Sequence, residues 1–102
     1  MAMIEVSVVP LGTETPSVSR YIAGAVKVLQ EAKDIKYELT AMGTIIEGDL
    51  ARLLSLAEKM HQSAFAAGAM RVVTTIKIDE RRDEVASIRS KIAAVRRELA
   101  KG

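Results

Sequence analysis

The chain has 102 residues, 49% of them hydrophobic, one domain's worth with enough apolar side chains for a single modest core. Fifteen basic against thirteen acidic residues give a net charge of +2, and only 3% of the chain is aromatic, which argues against the concentrated basic stripe and base-stacking platforms of a nucleic-acid binder. With no cysteine, disulfides, a thiol nucleophile and sulfur-ligated zinc are excluded.

The first predicted element is a strand, IEVSVVP (4–10), in which apolar residues alternate with others. The opening MAMIEVSVVP has no basic segment ahead of a long apolar run, so it does not read as a signal peptide. PLGTETPS (10–17) is a loop entering a helix, with Thr15 as N-cap and Pro16 at the first helical position. That helix is predicted to run to about Ala32, with Val18, Ile22, Ala25, Val26 and Leu29 on one side and Lys33-Asp34 at its end. KYELTAM (36–42) and TIIEG (44–48) are the next two strands, meeting at Met42-Gly43 in a tight hairpin where glycine would accept positive φ. Asp49 caps a second helix whose stripe is Leu50, Leu53, Leu54, Ala57, Met60, His61 and Ala64, and Gly68 stops it. RVVTTIKID (71–79) is the fourth strand. From Glu80 to Leu99 a last helix places Val85, Ile88, Ile92, Val95 and Leu99 at spacings of 3, 4, 3 and 4. No segment holds about 18 consecutive apolar residues, so no spanning helix and no membrane partner is expected.

This order predicts an α+β fold, a ferredoxin-like βαββαβ sandwich with an additional C-terminal helix. The expected organisation is one domain over 1–102, with 1–79 as core and 80–102 as an oligomerisation helix. Period-two alternation puts Ile4, Val6, Val8, Tyr37, Leu39, Val72, Thr74, Ile76 and Ile78 on one sheet face. The other face collects Glu5, Ser7, Val9, Glu38, Thr40, Met42, Val73, Thr75 and Lys77. Such a half-polar face suits a partner or a small ligand better than bulk water. The seam of the last helix is too short for an independent coiled coil, and an oligomer contact through Val85, Ile88, Ile92, Val95 and Leu99 is favoured over packing within the chain.

Few side chains suggest chemistry. His61, the only histidine, lies on an apolar stripe, where a hydrogen-bonded packing role is the expected one. No HxxxH or HxH spacing accompanies it, so no metal site is expected. Glu5 and Glu38 are expected at a solvated edge or paired with Lys77; Glu47, if on the open face, is a better ligand contact. PLGTETPS lacks the spacing of a phosphate loop, and a plain capping role is preferred to anion binding. Asp79 can cap the last helix, and Arg81 and Arg82 are read as surface ion pairs. The hydroxyls of Ser7, Thr40, Thr44 and Thr75 can both donate and accept, as a neutral heterocycle requires. No nucleophile–base pair, metal set or cofactor fingerprint emerges, so no catalytic residue and no cofactor is expected.

EVSVVPLGTETPSVSRYI (5–22), KYELTAMGTIIEG (36–48) and HQSAFAAGAMRVVTTIKIDERRD (61–83) together resemble the small thiamine-binding, YkoF-like family, long known as conserved proteins of unknown function. The resemblance is collinear over nearly the whole chain. It implies a ferredoxin-like protein that forms homodimers or homotetramers through its sheets and last helix. It also implies binding of thiamine, or its hydroxymethylpyrimidine part, without catalysis. Position by position it implies a pocket of Ser7, Thr40, Met42, Gly43, Thr44, Glu47, Thr75 and Lys77. Ala41 stands where the family pattern has proline before MGT, a departure that would loosen the hairpin. The expected function is a cytoplasmic carrier, buffer or sensor of thiamine or a related pyrimidine. The alternative is an interaction module whose sheet face and last helix serve homo-oligomerisation alone.

Overall fold

The sheet is built around one ten-residue strand. In the computed structural model, which describes residues 1–12, 18–83 and 88–101, β1 (Ala2–Leu11) pairs antiparallel with a neighbour on each side. Between β1 and β2 (Lys36–Leu39) lies α1 (Ser19–Gln30), and β3 (Thr44–Gly48) follows β2. Next come α2 (Leu50–Ala66), β4 (Arg71–Glu80) and α3 (Ile88–Ala100). The strand order is β2-β3-β1-β4, every neighbouring pair antiparallel. Over the described residues the molecule is therefore a small α+β fold, a four-stranded antiparallel sheet with three helices.

The register assigns the faces. Ile4 lies between Ile46 on β3 and Ile78 on β4, and Val6 between Thr44 and Ile76. These residues turn toward α1 and α2, where Ile4, Val6, Leu29, Ile46, Leu53, Leu56 and Met60 are buried. Full burial of each such side chain stabilises by roughly 1.5–3 kcal/mol. The stripe expected on α2 is corrected at its margin. Leu56 is in the core and lines a crevice beside Val28 of α1, whereas Leu54 is exposed. Packing of α1 alongside α2 moves the buried sector toward the side that α1 covers.

Local signals explain the ends of α2. Asp49 accepts a hydrogen bond from the Arg52 backbone N–H at 3.4 Å, as a capping side chain should. Past its other end Gly68 adopts φ +108°, a conformation that glycine tolerates best. Arg20 of α1 donates to the Ala67 carbonyl there, tying the two helices together. The helix-entry role expected of Thr15 and Pro16 lies outside the described residues. The described helix starts at Ser19, with Val18 at its N-cap and no side-chain cap bond.

Two expectations for the hairpin are corrected. β2 ends at Leu39, not Met42, so Thr40 and Met42 belong to the turn and not to the open face. Gly43 has no positive φ. It is suited to its place by space instead: a Cβ there would stand 3.0 Å from the Val6 carbonyl oxygen.

α3 differs from the other helices in having no buried residue. It meets the sheet near its first turns, where the Ile88 N–H donates to Glu47 and Lys91 pairs with Asp79. The capping role expected of Asp79 is thus replaced by an ion pair. Exposure along the predicted seam rises from Ile92 (43%) through Val95 (59%) to Leu99 (74%); Val85 lies outside the described residues. The radius of gyration, 15.2 Å, exceeds the about 13 Å of a compact chain of this length.

Candidate functional site

The 40–43 turn is organised by one hydroxyl. Thr40 Oγ1 donates to the Gly43 carbonyl at 2.8 Å and accepts from the N–H groups of Met42 and Gly43 at 3.3 and 3.2 Å. The Thr40 N–H also donates to the Gly43 carbonyl, at 2.8 Å. With its proton and both lone pairs engaged, this hydroxyl shapes the turn and has nothing left for a ligand. Ala41 in place of proline costs the turn no contact seen here, because Thr40 and Gly43 close it.

Behind the turn, α1, β1 and the hairpin enclose a cavity of about 230 Å³. Its walls are mostly apolar: Val6, Val8, Val18, Ile22, Leu39 and Met60 contribute. Thr44, only 4% exposed, turns inward with Val6 and lines this cavity. Its hydroxyl gives the otherwise apolar wall one donor–acceptor group. At about 230 Å³ the space falls below the 300–1,000 Å³ typical for drug-sized ligands. It suits one substituted ring.

The eight residues expected to form a single pocket are divided by the sheet. Ser7, Thr40, Met42, Gly43 and Thr44 all line the cavity. Met42 is exposed at its rim. Glu47 lies on the opposite sheet face, 7% exposed, where its Oε2 accepts the Ile88 N–H at 2.8 Å. Thr75 stands across from Ser7 on β4 and is exposed. Lys77 is also exposed and faces Glu5 at 3.7 Å. Period-two alternation accounts for the division: Thr44 and Glu47 are three residues apart on one strand and so point oppositely. Placing them together on an open face was incorrect, and the concavity lies under α1.

Two more expectations meet the structure directly. His61 Nδ1 lies 2.7 Å from Thr74 Oγ1, and its ring stands edge-on to Phe65 with centroids 5.3 Å apart. It is a hydrogen-bonded packing residue between α2 and β4. Arg81 pairs with Asp83, and Arg82 with Glu80, as surface ion pairs. Among the described residues no three His, Cys, Asp or Glu side chains gather where a metal would sit, and no helix is long and apolar enough to cross a membrane.

Sequence reasoning missed the helical wall of the cavity. Val18, Ile22 and Met60 were readable only as core stripe, because nothing local distinguishes a side chain that fills a core from one that borders a void. It also missed a second concavity, of about 830 Å³, between α3 and β2. Its lining includes Lys36, Glu38 and Glu47 from the sheet and Arg89, Arg96 and Arg97 from the helix.

The comparisons agree with this architecture. The chain is 45% identical to the UPF0045 protein YqgV of Bacillus subtilis, over 97% of this chain and 98% of that protein. The crystal structure of a hypothetical protein of Methanocaldococcus jannaschii superimposes with a TM-score of 0.85 at 39% identity, covering 92% of this chain and 94% of that one. A Thermotoga maritima protein proposed to act in thiamine biosynthesis or salvage shares the fold, with a TM-score of 0.78 at 20% identity over 92% and 97% of the two chains. The model of the family described as thiamine-binding protein matches residues 4–96. On that match, which spans nearly its whole length, this chain belongs to the thiamine-binding protein family.

Proposed function

We propose that the protein binds thiamine, or its hydroxymethylpyrimidine part, in the cavity beneath α1, and releases it unchanged. One observation carries the reading: a largely apolar cavity has in its wall the hydroxyl-bearing side chain of Thr44, only 4% exposed. A heterocycle with ring nitrogens and an exocyclic amine satisfies such a hydroxyl while its ring fills the apolar space. Removing that contact from water strengthens it. The ligand contacts come from Ser7, Met42, Gly43 and Thr44, and Thr40 sets the turn that holds them. Family membership and the Thermotoga maritima neighbour support a thiamine-related ligand.

In this reading the protein is not an enzyme and acts in the cytoplasm as a carrier, buffer or sensor. The antiparallel order is ferredoxin-like, the chain through β4 forms the ligand-binding core, and α3 forms the oligomerisation helix, which starts later than the Glu80 expected from the sequence because Glu80 still belongs to β4. The stripe of Ile92, Val95 and Leu99 then packs on a second copy in a homodimer or homotetramer, which also covers Val9, Val73 and Thr75 on the open sheet face. The exposure of that stripe equally favours a second reading, an interaction module without a ligand.

Calorimetric titration with thiamine and with hydroxymethylpyrimidine decides between them. Saturable binding is expected for the unaltered protein. Thr44→Val should weaken it about tenfold, the worth of one hydrogen bond in a dry site. Absence of binding by both compounds would leave the interaction module as the account.

A further inference from the structure

The concavity between α3 and β2 has a different character from the cavity under α1. We infer that it is a second site, which holds the phosphoryl group of a small phosphorylated organic molecule. Arg89 and Arg96 stand seven residues apart on α3, two helical turns, with small Ala93 between them and Arg97 beside them. Lys36 faces them from β2. Four cations thus meet two carboxylates, Glu38 and Glu47, and Glu47 already accepts the Ile88 N–H.

Arg52, Lys77, Arg81, Arg82, Lys91 and Lys101 each face a carboxylate. None of Lys36, Arg89, Arg96 and Arg97 pairs with a carboxylate of the described residues. Lys27, Lys33, Lys59 and Arg71 also lack a carboxylate partner among the described residues; what sets the hollow apart is that four cations gather around it. In a chain of net charge +2, four such cations around one hollow leave a local positive excess. Guanidinium groups bind phosphoryl oxygens bidentately, and a lysine adds a point charge from the opposite wall. Ile92 also lines the hollow and gives the organic part of the ligand an apolar surface. The volume, about 830 Å³, lies within the range of small-molecule sites.

The test is independent of thiamine binding, because the probes contain no pyrimidine. Inorganic pyrophosphate and phenyl phosphate are titrated calorimetrically into the full chain at low ionic strength. Saturable binding that weakens as salt is added is expected for at least one of them. Tighter binding of phenyl phosphate would assign the site to an organic phosphate, and tighter binding of pyrophosphate to a diphosphate group. The double variant Arg89→Gln/Arg96→Gln should weaken binding about tenfold or more. Lys36→Gln, on the other wall, should weaken it severalfold without touching α3. Lys27→Gln, an exposed cation of α1 outside the hollow, should change nothing. Absence of saturable binding to either probe, or an equal loss with Lys27→Gln, would overturn the proposal.

Discussion

The two faces of this sheet are finished in different ways. Under α1 and α2, Ile4, Val6 and Ile46 pack against Leu29, Leu53 and Met60, all of them buried. On the opposite face Val9, Val73 and Thr75 remain exposed, and α3 is attached near its first turns through Glu47 and Asp79. The closed face carries the stability. The open face carries a helix whose apolar stripe is uncovered, the surface on which the proposed second copy would pack. A threonine on the closed face and a glutamate on the open face, three residues apart, therefore take different work: Thr44 lines a cavity, and Glu47 holds a helix.

Substitutions can break this contrast or sharpen it. Ile46→Ala removes a fully buried side chain from the closed face and should cost about 2–5 kcal/mol in denaturant unfolding. A cost below that of a surface change would mean that the core is not where the structure puts it. On α3, the double variant Ile92→Asp/Val95→Asp should leave the core almost untouched, within about 0.5 kcal/mol. Light scattering should then show the mass falling to that of one chain, and melting should lose its dependence on protein concentration. An unchanged multimer would remove α3 from the interface.

The smallest effect concerns Asp34, whose carboxyl is held below the ordinary aspartate value chiefly by its hydrogen bonds from Arg52, at 2.9 and 3.3 Å. A lowered folded-state value means that this contribution is present above the unfolded-state value and is lost as pH falls through the folded-state one. In an NMR titration Arg52→Gln should move the Asp34 midpoint upward. Because the group is solvent-exposed, melting should barely change. A midpoint that stays put would deny the pairing.

Much of this was legible in the chain. Alternation in IEVSVVP and RVVTTIKID located both long strands, and in β1 the inward residues Ile4 and Val6, whereas Ile76 and Ile78 of the edge strand β4 stay exposed; Asp49 and Gly68 marked the ends of α2. The strand pattern misled at 40–43, where Thr40 and Met42 continue the alternation in sequence yet fold into a turn held by the Thr40 hydroxyl. Leu54 and Leu56 exchanged roles because the buried sector of α2 depends on where α1 lies, a contact between distant segments. The candidate site divided for a similar reason. Hydroxyl-bearing residues can be counted along a strand, but which of them borders a void depends on helices that pack over it. The cationic hollow escaped notice because Lys36 and Arg96 are 60 positions apart in sequence and come together only in space.

The most direct test of the central claim is an amide chemical-shift map of the labelled protein titrated with hydroxymethylpyrimidine. The account predicts saturable shifts confined to the surroundings of the cavity, at Ser7, Ile22, Gly43 and Thr44, with α3 (Ile88–Ala100) unmoved. Shifts gathered on the open sheet face, or none at all, would contradict it.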